Sequence, residues 1–323
     1  MVRRSVGLML VAGVVASASP ALADDNDVIV GRLATRVTDS SGNLVRVVPQ
    51  NLELRALASQ LGVALAPHLL TPADTIGFGG FQFTVDYSAT TIDAGQDYWR
   101  ARAGDPATAS DMLQTIGLFV RKGMWFPVPS FEVGGGAVHL LDSSIWTGQL
   151  YAKLALHEGY RSLPLPSVAV RGAVSRMMTQ RDLDLTVASL DVTVSKHIGI
   201  GGTWRLDPYG GWNLLMIVPR SEVIDPTPHI DQLQPGNEMD SELNFVFREQ
   251  DTILRHRFFL GAKLRYHVFQ LTLEAHVAMA GRSVDNMPGT DVACMPSSTT
   301  TLCDAADTSS SQRTLSMSAG FEF

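Results

Sequence analysis

The last ten residues, Thr314-Leu315-Ser316-Met317-Ser318-Ala319-Gly320-Phe321-Glu322-Phe323, alternate without a break. Leu315, Met317, Ala319, Phe321 and Phe323 fall on one face. Thr314, Ser316, Ser318, Gly320 and Glu322 fall on the other. A period of two is that of a β-strand, whose successive side chains point to opposite sides. One apolar face and one small or polar face suit a wall with lipid outside and a polar lumen inside.

The same period recurs upstream. In 268–280, Phe269, Leu271, Leu273, Ala275, Val277 and Met279 oppose Gln270, Thr272, Glu274 and His276. In 253–266, Leu254, Phe258, Leu260, Ala262, Leu264 and Tyr266 oppose Arg255, Arg257, Lys263 and Arg265. Segments 183–197, 165–177 and 145–157 alternate in the same way, and 76–88, 113–122, 129–140 and 206–219 follow a weaker version. The expected fold is therefore all-β: a transmembrane antiparallel up-and-down barrel of about ten strands, with twelve as the alternative count. The connections near 123–128, 158–164, 198–205 and 266–268 are short, whereas 89–112, 220–252 and 281–312 are long and polar. Short turns at one rim and long loops at the other match periplasmic turns and extracellular loops. Trp125, Phe126, Tyr160, Trp204, Tyr209, Tyr266 and Phe323 lie at or near the expected periplasmic ends, where amphipathic rings suit a membrane interface. A secreted β-sandwich would also alternate, but it needs no one-sided loop lengths.

The terminal run 315–323, ending in Phe321-Glu322-Phe323, resembles the assembly signal of bacterial outer-membrane β-barrels. Asp207-Pro208-Tyr209-Gly210-Gly211 resembles the strand openings that leave a periplasmic turn in small barrels of that kind. The resemblance covers residues 76–323 and implies an outer-membrane location, surrounding outer-membrane lipid, and the barrel-insertion machinery as a partner in assembly. It carries over no catalytic residue.

The N-terminus agrees with export. Arg3 and Arg4 precede an apolar stretch from Val6 to Val15, and Ala21-Leu22-Ala23 forms an A-x-A cleavage site before Asp24. Residues 1–23 are thus expected to be a signal peptide. That apolar run is too short to span a bilayer as a helix, and no other stretch approaches about 18 apolar residues. Residues 24–75 read as a periplasmic or lumen-plugging segment. It holds a Ser40-Ser41-Gly42-Asn43 turn and one amphipathic helix with Leu54, Leu57, Ala58, Leu61, Ala64 and Leu65 on one face, ended by Pro67 and Pro72.

The net charge of −7 offers no basic field for nucleic acid. The charges on inward faces are more informative. Lys153, Arg171, Asp191, Arg255, Arg257, Lys263, Arg265, Glu274, His276 and Glu322 are expected to share the lumen, where each must be solvated or paired. Glu274 is expected to pair with Arg257 or Lys263 on the preceding strand. The group reads either as a salt-bridged filling of a narrow barrel or as a constriction for anionic solutes.

Other constellations are weaker. Asp225, His229 and Asp231 sit in a Pro-rich loop rather than on fixed strand ends, which disfavours acid–base catalysis. His157-Glu158-Gly159-Tyr160 lacks the second His of a zinc motif. Gly134-Gly135-Gly136 suggests close packing or a barrel kink. Cys294 and Cys303, with eight residues between them in an exported chain, read as a disulfide. No cofactor or metal is expected. The functional expectation is a small channel or transporter-like protein for small solutes, the alternative a structural or surface-interaction barrel with an occluded lumen, and an outer-membrane enzyme the minor alternative.

Overall fold

The computed structural model describes residues 24–105, 110–126, 128, 130–159, 165–231, 234, 238–285 and 305–323. The chain opens with a two-stranded ribbon, β1 (Ala34–Thr38) and β2 (Leu44–Pro49), followed by helix α1 (Asn51–Ala64). Next come β3 (Phe81–Thr91), β4 (Met112–Met124), β5 (Phe131–Leu140), β6 (Trp146–His157), β7 (Ser167–Met177) and β8 (Leu183–Ser195). A three-residue β9 (Ile198–Ile200) precedes β10 (Trp204–Ser221), β11 (Ile253–Tyr266) and β12 (Phe269–Ala278). Two-residue strands β13 (Val284–Asp285) and β14 (Ala305–Ala306) pair with each other before the final β15 (Gln312–Glu322).

Ten of these strands close a ring. Each pairs antiparallel with its neighbour in the order β3, β4, β5, β6, β7, β8, β10, β11, β12, β15, and β15 returns to β3 with Met317 opposite Tyr87. Closure leaves no strand edge unpaired, which a wall in lipid requires. Every segment given a strand from its alternation forms one, including the weaker four; Asp207–Gly211 is the opening third of β10. On β15, Leu315 and Phe323 are 63% and 70% exposed, while Ser316 and Ser318 on the other face are fully buried. Leu260 and Leu273 point outward and Lys263 inward.

The strand ends that flank 125–130, 158–166, 196–203 and 267–268 gather at one rim, together with Phe323. The tightest of them puts His267 at φ 52°, as a two-residue hairpin demands. The strand ends that flank 92–111, 222–252 and 279–311, with two tight turns, form the other rim.

The interior changes character along its axis. Near the long-loop rim many inward residues are apolar: Leu113, Leu140, Leu183, Leu185, Val187, Leu215, Ile217 and Ile253 join one buried cluster with Val28, Val30 and Leu33. Helix α1 fills the centre of this cluster with Leu54, Leu57 and Leu61. Its polar side is buried as well. Arg55 donates to the Asp251 carbonyl (2.9 Å) and to Ser283 Oγ (2.9 Å), and Gln60 Oε1 accepts from Trp99 Nε1 (2.7 Å). A helix enclosed on every side belongs inside the barrel. Gly62 faces Ile217 so closely that an added Cβ would lie 2.7 Å from that side chain.

Beyond α1 the chain runs on through the lumen as an irregular, non-helical segment, 65–76, and reaches the short-turn rim where β3 begins. Residues 24–49 stay at the long-loop rim. There the Asn26 amide donates to the Asp142 carbonyl (2.7 Å), Ile29 N to Ala101 O (2.7 Å), and Arg36 to the Pro226 carbonyl (3.0 Å).

Candidate functional site

A non-helical chain inside a barrel brings peptide N–H and C=O groups into a dry space, and each needs a partner. The wall supplies them. Arg257 donates to the Pro67 carbonyl (2.6 Å) and Arg171 to the His68 carbonyl (2.9 Å). Gln149 and Ser175 both donate to Leu65 O (3.3 and 2.8 Å). Glu274 Oε2 accepts the Leu70 amide (3.0 Å), Ser195 Oγ the Ala73 amide (3.1 Å), and Glu132 Oε2 the Ile76 amide (3.0 Å). Lys153 Nζ donates to the Pro72 carbonyl (3.2 Å), the Asp74 carbonyl (3.0 Å) and Thr71 Oγ1 (3.3 Å). At the exit, Glu158 Oε1 accepts from both Thr75 N (2.9 Å) and Thr75 Oγ1 (2.5 Å). Leu70 sits at φ 47°, a conformation that a bulky residue holds only when its surroundings fix it.

The same side chains satisfy one another. Arg171 and Asn213 both bond Asp191, and Arg257 bonds Asn213 Oδ1 (3.1 Å). Lys153 pairs with Glu132 (3.2 Å), which also accepts from Tyr151 Oη (2.7 Å). Lys263 and Arg265 share Glu322 at the short-turn rim. Arg255 lies higher, bonding Ser59 Oγ (2.7 Å) and the Met279 carbonyl (2.8 Å). Breaking such a buried pair by removing one partner costs far more than the pair contributes when intact.

All ten residues expected in the lumen face it. Eight are buried there; Arg265 and Glu322 lie partly open at the rim. Two expectations need correction. Glu274 pairs with neither Arg257 nor Lys263. Its partners are His276 Nε2 (2.5 Å), Tyr209 Oη (2.7 Å) and the Leu70 amide. The register places Gly261 opposite Glu274, Lys263 is engaged by Glu322 and Arg257 by Pro67 and Asn213, so the plugging segment takes the acceptor. Tyr209, read as an interfacial ring, points inward and is buried against Leu69 and Phe259. Its parity decides this, since Asp207 and Asn213 flank it on the inward face of β10. Trp125, Phe126, Trp204, Tyr266 and Phe323 are outwardly exposed. Tyr160 and the Cys294–Cys303 pair lie outside the described residues.

Sequence reading missed Asp86, Arg121, Glu132, Glu158 and His68. Glu132 could have been found by parity, but the following three glycines hide the alternation of β5. Those glycines have a use: a Cβ on Gly134 would sit 2.3 Å from the Tyr151 ring, so its absence lets Tyr151 reach Glu132. At the long-loop rim Asp225 Oδ1 accepts from Thr227 N (2.8 Å), a local turn bond, and His229 and Asp231 are exposed. Among the described residues, no group of three His, Cys, Asp or Glu side chains is placed to hold a metal, and no helix is long and apolar enough to cross a membrane.

No family model and no curated protein matches the chain. Solved structures of similar shape include the attachment invasion locus protein Ail of Yersinia pestis, at 10% identity and TM-score 0.27, covering 76% of this chain and 99% of that one. Neisserial surface protein A matches at 10% identity and TM-score 0.28, covering 76% and 97%. The outer membrane protease OmpT of Escherichia coli matches at 7% identity and TM-score 0.33, covering 76% and 95%. At such scores a likeness says nothing of activity; the closed ladder carries the barrel assignment.

Proposed function

We propose that the protein is an outer-membrane barrel acting as a filled scaffold for surface structure, with no resting path for solutes. The observation that supports this reading is the lumen itself. One half is packed with apolar side chains around α1, and the other is occupied by residues 65–76, bonded to the wall. A constriction built to select anions would leave its cations facing water. Here Arg171, Arg257 and Lys153 are committed to peptide carbonyls. The exposed apolar outer face suits outer-membrane lipid, and the short-turn rim, with Phe323, is the periplasmic side. Insertion by the barrel-assembly machinery and cleavage after Ala23 belong to the same reading; N-terminal sequencing of the membrane-extracted protein checks the latter by finding Asp24 first.

The decisive experiment is conductance of the refolded protein in a planar bilayer. Closed traces at neutral pH are expected. A stable open level in most insertions would overturn the filled-scaffold reading in favour of the channel.

A further inference from the structure

We infer that the barrel displays its own N-terminal segment: residues 24–49 stand on the cell surface, joined to the periplasmic start of β3 by the chain that runs through the lumen. This rests on the membrane orientation proposed above and goes beyond it, because a lumen plug could equally enter and leave at the periplasmic side.

Three sets of contacts carry the inference. First, residues 25–36 are built into the long-loop rim. Asn26 Nδ2 donates to the Leu141 carbonyl (2.7 Å), Asp27 Oδ1 accepts from Ser144 N (2.7 Å) and Ser144 Oγ (2.8 Å), and Ala103 N donates to Asp27 O (2.8 Å). Arg102 bonds Asn26 Oδ1, and Arg32 donates to the Arg102 carbonyl (2.6 Å). Leu33 and Val30 join the same apolar cluster as the ends of β4, β8 and β10. Second, the passage is gripped all around the ring, by Arg121 of β4 (to Leu70 O, 3.5 Å), Glu132 of β5, Lys153 of β6, Arg171 of β7, Ser195 of β8, Arg257 of β11 and Glu274 of β12. A segment held from so many strands is enclosed when the ring closes. Late threading would drag the β1–β2 ribbon past wall atoms that approach Gly62 within a Cβ's breadth. Third, the ribbon itself projects outward. Thr35 through Asn43, together with Val45 and Arg46, is exposed, so the ribbon stands out from the rim that holds residues 25–34.

The test is residue-by-residue accessibility in intact cells. In the full chain carrying Cys294→Ser and Cys303→Ser, single cysteines are placed by Ser41→Cys (ribbon turn), Arg181→Cys (long-loop rim) and Thr203→Cys (short-turn rim). They are then labelled with a membrane-impermeant maleimide before and after permeabilisation. The inference expects Ser41→Cys and Arg181→Cys to label fully in intact cells, and Thr203→Cys to gain at least about tenfold only on permeabilisation. Labelling of Arg181→Cys with protection of Ser41→Cys would overturn the display and leave the barrel orientation standing. The reverse pattern, with only Thr203→Cys labelled, would overturn both. The unsubstituted protein gives an independent readout. Trypsin added to intact cells should cut after Arg46 or Arg36, and mass spectrometry should find chains beginning at Val47 or Val37. Cleavage at those sites only in ruptured cells would overturn the inference without relying on any variant.

Discussion

Replacing Lys153 by Met tests whether wall charges hold the plugging segment in place. Met keeps most of the volume and removes the ammonium. The change deletes three donations, to Thr71 Oγ1, Pro72 O and Asp74 O, and strips Glu132 of its cation 3.2 Å away. Removing one member of a buried pair costs about 3–5 kcal/mol. Glu132 keeps two hydrogen bonds, from Tyr151 Oη and the Ile76 amide, so the lower end applies, about 3 kcal/mol. That corresponds to about a hundredfold rise in the population with 71–76 released. Denaturant unfolding in detergent micelles, followed by tryptophan fluorescence, should show a lowered midpoint, and bilayer traces should show brief openings absent from the parent. Adding Glu132→Gln to Lys153→Met should recover part of the loss, because the second change removes the stranded carboxylate. A Lys153→Met protein with the parental midpoint and no openings would refute the claim that this cation clamps the segment.

Gly134→Val should destabilise by about 1–3 kcal/mol, since the new side chain displaces the Tyr151 ring and breaks its bond to Glu132; combining it with Tyr151→Ala should abolish most of the added cost in the same unfolding assay. Leu57→Ala, in the centre of the apolar half, should lower stability by about 2–5 kcal/mol without opening the polar half, so conductance stays closed while the unfolding midpoint falls. In the ribbon, the Asn43 backbone amide holds the Asp39 carboxyl below its ordinary value of 3.8. A depressed value means that the turn's stabilisation is complete above pH 3.8 and is lost as the pH falls through the lower folded value. The protection of the Asn43 amide against exchange, relative to its intrinsic rate at each pH, should therefore fall in acid, and Asp39→Asn should remove that dependence.

Strand number, pairing partners and the inward set were legible because a period of two writes each wall position into the sequence twice, once as an apolar outward residue and once as a polar inward one. Lys153 between Ala152 and Leu154 needed no structure to be placed inside. The partners of those charges were not legible. Cross-strand register alone brings Glu274 near β11, yet a third element competes for it, and alternation carries no signal of residues 65–76 passing by. Tyr209 was misread for a related reason: position near a strand end suggests an interfacial ring, whereas parity with Asp207 and Asn213 sends it inward. Helix α1 was recognisable from Leu54, Leu57 and Leu61, but nothing in its own pattern says that Arg55, Ser59 and Gln60 are buried too, because their partners, Ser283, Asp307 and Trp99, come from two distant loops.

The change of character along the lumen limits how the molecule can assemble. Toward the long-loop rim, β8 presents Leu183, Leu185 and Val187 inward and Leu190 and Val192 outward farther along, so that end of the wall has apolar inward positions that only another apolar element can cover. An empty barrel would expose those leucines to water, at a cost of about 1.5–3 kcal/mol for each side chain left uncovered. The opposite half has the contrary need: Arg257, Arg171, Lys153 and Glu274 face inward there, and the peptide groups of residues 65–76 give them hydrogen-bond partners that an apolar helix would not. One continuous segment answers both needs only if its apolar helix comes first in the chain and its irregular stretch second, with the helix at the long-loop end. The sequence has that order, Leu54 to Leu65 and then Pro67 to Ile76. Reversing the segment in the lumen would set leucines against arginines and bare peptide groups against leucines. The polarity gradient of the wall therefore fixes the direction of the thread, and with it the rim of the barrel at which residues 24–49 emerge.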